Sequence, residues 1–133
     1  MEIVSGLTLT ALVVATVLGE AYPHTYGAYR DVAACIRNRA EHSGQSAEVV
    51  CLAPKQFSAM NTAGNRRKLL RMRSTHPRLW SLASDAIADE FEHPTTDLRG
   101  VRHYVTTDLH DSKHGWWSEM REVLRRNGHV FLA

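Results

Sequence analysis

Seventeen consecutive residues, Ile3 to Gly19, carry no charge and only scattered hydroxyls at Ser5, Thr8, Thr10 and Thr16. This run restricts the fold more than any other stretch. A helix that is apolar all round has to be enclosed, either by lipid or by other elements of a core. The run lies at the bottom of the range for a membrane span, and Gly6 and the hydroxyls dilute it further. It also lacks the marks of a secretory leader: Glu2 stands where a leader carries Lys or Arg, and no small-residue cleavage site precedes a separate mature region. We therefore expect a buried core helix, capped by Ser5 or Thr8 and running to about Glu20. Action outside the cytoplasm would then need an exit route other than a signal peptide.

The length of 133 residues suits one domain, 1–133, large enough to bury a core without staples. Cys35 and Cys51 each sit in apolar helical surroundings (Val32-Ala33-Ala34-Cys35-Ile36 and Val49-Val50-Cys51-Leu52). They read as buried free thiols, with a disulfide between them as the other possibility. No cysteine spacing suits a metal. The net charge of +2 is compatible with an anionic partner but too small to require one.

Periodicity and punctuation divide the chain further. Ala28 to about His42 reads as a helix, with Val32, Cys35, Ile36 and Arg39 at helical spacing. Ser46 caps a short helix that Pro54 ends. Residues 55–65 read as irregular, and Asn65 to Arg73 as a short basic helix. Pro77 opens a longer helix through Glu92, with Leu79, Trp80, Leu82, Ala83, Ala86, Ile87 and Phe91 as its buried stripe. Val101 to Val105 reads as a strand, 106–115 as a polar loop, and Trp116 to Arg126 as a helix. Asn127-Gly128 signals a turn before a last strand, His129 to Leu132, able to pair with the first. The fold class is α+β: mainly helical, with a small antiparallel β element near the C-terminus.

Glu20 is the first acid after the apolar run. A carboxyl at the end of a greasy helix is poorly solvated, and desolvation raises its pKa. Such an acid can protonate a leaving-group oxygen. The plainer alternative is a solvated helix-end glutamate. Eight histidines invite a metal reading. His110 and His114 are four apart, but they fall in an expected loop without the Glu of an HExxH frame, so solvated loop histidines are the default and no metal or cofactor is expected. The cluster Arg66-Arg67-Lys68 with Arg71 and Arg73 has no nucleic-acid motif beside it and reads as a solvated helix face. Trp116 and Trp117 point about 100° apart on a helix, which sends one to the core and leaves the other to face a cleft.

Five segments, taken in order, resemble the cell-wall hydrolase family of the spore cortex-lytic enzyme (SleB-like) type. They are Leu18-Gly19-Glu20-Ala21; Gly27 followed by Val32-Ala33-Ala34-Cys35-Ile36-Arg37-Asn38-Arg39; Val49-Val50 leading to Gln56-Phe57-Ser58; Gly100-Val101-Arg102-His103-Tyr104; and Trp117 with Gly128-His129-Val130-Phe131. Three positions depart from the family pattern. Tyr22-Pro23-His24 fill the stretch where a second acid is common, Val105 replaces a polar aromatic or His, and His129 follows Gly128 without the usual Asn between.

The resemblance implies a lysozyme-like fold, cleavage of peptidoglycan between N-acetylmuramic acid and N-acetylglucosamine, and lytic transglycosylation. It makes Glu20 the catalytic residue, with Gln56, Ser58, His103, Tyr104 and Trp117 as substrate-binding candidates. His103 and Tyr104 face opposite sides of a strand, and Tyr104 is the one expected in the cleft; His129 is expected to be structural. The implied partner is the glycan strand of peptidoglycan, not nucleic acid or membrane. Two other functions compete: a metal-dependent amidase using His103, His110, His114 or His129, and a non-enzymatic module binding nucleic acid or wall polymer. Without a signal peptide, wall-anchoring repeats or a linker, the chain looks like a phage-type endolysin or a virion-borne enzyme, brought to the bacterial wall by lysis partners or by the particle.

Overall fold

The computed structural model describes residues 2–53 and 57–133, with the side chains of the first helix from Ala11 onward. Helix α1 spans Glu2–Glu20. Ser5 and Thr8 lie inside it rather than at a cap, because nothing in the apolar run interrupts helical propensity before them. Val13 to Leu18 are buried in unbroken sequence, so this part of α1 is surrounded rather than laid on a surface. Thr16 is also fully buried; its hydroxyl donates to the Leu12 carbonyl at 2.8 Å, which removes the cost of burying it. Among the described residues, no helix is long and apolar enough to cross a membrane.

The enclosing elements are α2 (Tyr26–Ser43), α3 (Ala47–Leu52), α4 (Ala63–Thr75) and α5 (Pro77–Glu92). Helix α2 starts two residues before the expected Ala28, because the Thr25 hydroxyl accepts from the Ala28 amide at 3.2 Å and caps it there. It ends at Gly44, whose φ of 70° is the left-handed conformation that terminates helices. Ser46 caps α3, as its sequence suggested; Pro54 lies outside the described residues. Residues 58–60 form a 3₁₀ turn, Ser58–Met60, within the stretch read as irregular.

Helix α5 has the expected bounds, but its buried stripe ends early. Phe91 is 40 % exposed, and the interior position beside it belongs to Glu90, which is fully buried. A carboxylate can take that place because α2 supplies countercharge: Arg30 Nε lies 3.1 Å from Glu90 and an Arg37 terminal nitrogen 3.8 Å. The Thr95 amide donates to the same carboxylate at 2.7 Å, and the Thr95 hydroxyl donates to it as well.

The C-terminal region differs most from expectation. Strand β1 (His103–Thr106) pairs antiparallel with β3 (His129–Leu132) as foreseen. A short helix α6 (Thr107–Ser112), capped by the Thr106 hydroxyl, replaces part of the polar loop. In place of a helix over 116–126 there is a 3₁₀ turn, Trp116–Glu119, and then a third strand, β2 (Glu122–Arg126), giving the antiparallel order β1-β3-β2. The cause is the two-residue turn between β2 and β3. Asn127 (φ 50°) and Gly128 (φ 79°) both adopt positive φ, the hairpin geometry that folds 122–126 back on 129–132. A Cβ on Gly128 would also stand 2.4 Å from the Tyr22 carbonyl oxygen, so the turn packs directly on the segment that follows α1.

The sheet is tied to α2 through buried Asp31. This carboxylate receives Arg126 Nε at 3.1 Å, an Arg126 terminal nitrogen at 2.8 Å and Asn127 Nδ2 at 2.9 Å. Cys35 and Cys51 are separate, buried free thiols. Burial pushes the Cys35 thiol up to about 12 and the Cys51 thiol up to about 11, so neither is a ready nucleophile at neutral pH.

Candidate active site

Glu20 closes α1, and the helical hydrogen bonding continues one residue further, from the Ala21 amide to the Val17 carbonyl at 3.0 Å. What fixes Glu20 in space is the glycine before it. A Cβ on Gly19 would stand 2.6 Å from Ala59 Cβ and 2.8 Å from a Leu69 methyl. Only glycine lets the end of α1 lie this close to the Ser58–Met60 turn and to α4. The approach brings the Ala59 amide to 3.2 Å from Glu20 Oε2, with Ser58 Oγ at a longer 3.5 Å. Arg66, at the start of the basic cluster, donates to the Met60 carbonyl at 2.7 Å and holds that turn from behind.

The other carboxylate oxygen, Oε1, accepts the Tyr104 hydroxyl at 2.8 Å. Burial, reinforced by the Glu20 charge, holds that phenol well above its ordinary pKa, so Tyr104 remains a donor across the working pH range. Its ring is fixed edge-on to His129, with centroids 4.8 Å apart. Glu20 is thus half-buried rather than sealed in an apolar pocket, with both oxygens engaged by donors from two different elements. It borders an open cleft of about 460 Å³ whose walls include Ser58, Tyr104, Thr106, Trp116 and His129. Glu20 is the only carboxylate lining this cleft among the described residues.

Of the sequence candidates, Ser58 and Tyr104 meet at Glu20, while Gln56 lies outside the described residues. His103 does not border this cleft. It leaves the opposite face of β1 and lines a neighbouring depression with Arg39 and Arg102, where burial, and then these two cations, lower its pKa. Trp117 is also elsewhere: it is 8 % exposed and packs with Val105, Val130 and Leu132. The 58 % exposed Trp116 is the tryptophan at the cleft. A helix would have left either assignment open; the 3₁₀ turn decides it by burying Trp117.

His129 is 2 % exposed and forms part of the cleft wall, with its pKa lowered chiefly by burial. Sequence reasoning had no signal for the Ala59 amide, because a backbone donor is set by conformation and not by residue type. The histidines proposed for a metal do not converge. His110 contacts Asp111 and His114 contacts Ser118, and among the described residues no group of three or more His, Cys, Asp or Glu side chains is placed to hold an ion.

The close packing at Gly19 makes a prediction. Gly19→Ala puts a methyl where Ala59 and Leu69 already stand, so the end of α1 must move away from the turn. We expect a stability loss of about 1–3 kcal/mol. Thermal denaturation would measure the effect.

One acid, gripped on both oxygens at the edge of an open groove, suits an enzyme that works on an extended polymer. The chain belongs to the Cell Wall Hydrolase family, whose model matches residues 24–132. It is accordingly a hydrolase-family enzyme acting on peptidoglycan. The match begins after Glu20, so the role of that residue rests on its geometry. No curated protein and no solved structure matches the chain.

Proposed function

We propose that the enzyme cleaves the bond between N-acetylmuramic acid and N-acetylglucosamine by lytic transglycosylation, with Glu20 as acid and then base. The observation that carries this reading is that Glu20 is the one carboxylate lining the cleft among the described residues. Hydrolysis by retention or inversion uses two carboxyl groups, one as acid and the other as nucleophile or base. Transglycosylation needs one, because the muramic acid residue supplies its own nucleophile. Glu20 gives its proton to the glycosidic oxygen, and the bond from that oxygen to C1 breaks. The C6 hydroxyl attacks C1, and the Glu20 carboxylate accepts the proton it releases. The products are a new sugar hydroxyl and a 1,6-anhydro end, with no water consumed.

In this mechanism Tyr104 and the Ala59 amide hold the carboxyl in one orientation while its charge changes. Ser58, whose hydroxyl lies 3.5 Å from the same carboxylate, and Gln56, by its motif, are assigned to bonding the sugar or its acetamido group. The exposed face of Trp116 offers a platform for a pyranose ring. Tyr104→Phe removes one donor and leaves the ring packing in place, so we expect turnover to fall roughly 10- to 100-fold with little change in melting temperature. Mass spectrometry of the digestion products tests the reaction type. Fragments ending in 1,6-anhydro sugars, one water lighter than hydrolysis products, are expected. Reducing ends would make the enzyme a muramidase and require a second carboxylate.

A further inference from the structure

A second cavity lies away from Glu20. It has a volume of about 560 Å³ and is formed between α2 and residues 94–102. Three guanidinium groups line it, those of Arg37, Arg99 and Arg102, together with His42; its one carboxylate is Glu41. Glu41 is already paired with Arg37 at 3.3 Å. Neither Arg99 nor Arg102 has a side-chain hydrogen bond or ion pair among the described residues. Arg37 adds a buried Nε with no hydrogen-bond partner. An unfilled excess of planar, bidentate donors calls for a carboxylate or phosphate.

The backbone around the cavity is fixed in advance. Buried Asn38 donates to the Leu98 carbonyl at 2.8 Å and to the Val101 carbonyl at 2.7 Å, pinning the turn that contains Gly100 (φ 75°). Arg39 Nε donates to the Arg102 carbonyl at 2.6 Å. Arg99 and Arg102 therefore project from a rigid segment.

The cavity adjoins a second depression. His42 and Arg102 line both it and the adjoining depression of about 270 Å³ that includes His103. His103 in turn packs edge-on to Trp116, at 5.8 Å between centroids, and Trp116 borders the Glu20 cleft. The His103–Trp116 pair thus stands between the second depression and the Glu20 cleft.

We propose that this basic cavity binds the carboxylates of the peptide stems carried by the glycan strand, so that the enzyme engages glycan at Glu20 and acidic peptide at Arg99 and Arg102. The identity of the ligand rests on the peptidoglycan reading above. The stem is the anionic branch of that same polymer, which can reach a second site while its sugar is held in the first.

The test uses the whole enzyme and two measurements. In calorimetric titration, a soluble N-acylated acidic stem tripeptide should bind the wild type. The fully amidated tripeptide and an Arg99→Gln/Arg102→Gln variant should reduce that affinity at least 10-fold. The backbone contacts of Arg102 do not depend on its side chain, so the variant should keep the wild-type melting temperature. In kinetics, the variant should show a KM raised about 10-fold on strands bearing stems, an unchanged kcat, and wild-type behaviour on strands stripped of stems. Absence of wild-type binding to the acidic tripeptide, or equal binding of its amidated form, overturns the proposal. So does an equal KM increase on stripped strands. Binding of the tripeptide by a protein in which Glu20 proved dispensable would leave this site standing and remove the catalytic assignment.

Discussion

Glu20→Gln is expected to lower turnover on purified peptidoglycan by about 10²- to 10⁴-fold, the range that general acid–base catalysis contributes. The substitution keeps the size of the side chain and an oxygen to accept the Tyr104 hydroxyl, now 2.8 Å from Oε1. It removes the transferable proton, and it sets an amide N–H₂ against the Ala59 amide that now donates to Oε2 at 3.2 Å. That second effect costs roughly one hydrogen bond, about 1 kcal/mol, so the melting temperature should fall by only a few degrees. A zymogram comparing equal amounts of folded wild type and variant separates the two effects. Equal clearing would exclude Glu20 from the mechanism. Glu20→Asp tests position, because it keeps the acid but draws it back from both donors, and it should recover only a small part of the activity.

The largest expected effect on stability lies at Glu90. Its carboxylate is fully buried and serves Arg30, Arg37 and both donors of Thr95. Glu90→Ala leaves all of them facing a cavity. Breaking a buried ion pair from one side typically costs about 3–5 kcal/mol. The lower end applies here, since the Arg30 side chain is 26 % exposed and also donates to the His93 carbonyl at 2.7 Å. That is still a large share of the roughly 5–15 kcal/mol available to a domain. Urea denaturation would show the midpoint falling at constant m-value. A loss below about 1 kcal/mol would mean that water reaches Arg30 and Arg37 and that the cluster contributes little.

Local chemistry explains which features were legible beforehand. Pro77 at a first turn and Ser46 at a cap act within one turn of chain, and their helices begin where the sequence puts them. The apolar run of α1 called for enclosure, and Val13 to Leu18 are enclosed. Leu18-Gly19-Glu20 put an acid at the end of the apolar helix, but the close approach of the Ser58–Met60 turn to Gly19 had no local signal. The stretch 116–126 misled because Trp, Glu, Met, Arg and Leu are compatible with a helix, and short segments are decided by their partners. The Asn127-Gly128 hairpin signal was present in the sequence, and its implication for the five residues before it was the missed step. Phe91 is exposed where the sequence put it in the buried stripe, and Glu90 is buried, for a similar reason: the Arg30 partner of Glu90 sits on α2, 60 residues away, and only Thr95 is near in sequence.

Local preferences along the chain were enough to establish that α1 is an apolar helix ending in an acid, that α5 begins at Pro77, and that β1 and β3 are strands, because each depends on solvation or backbone preference within a few residues. Which groups surround that acid was set by packing between distant segments. The Ala59 amide, the Tyr104 hydroxyl and Trp116 come from a turn, a strand and a second turn, and they meet Glu20 through the packing at Gly19 and the pairing of β1 with β3. Directional contacts between segments 38 to 96 residues apart have no local signature; they exist only after the apolar surfaces have been buried together.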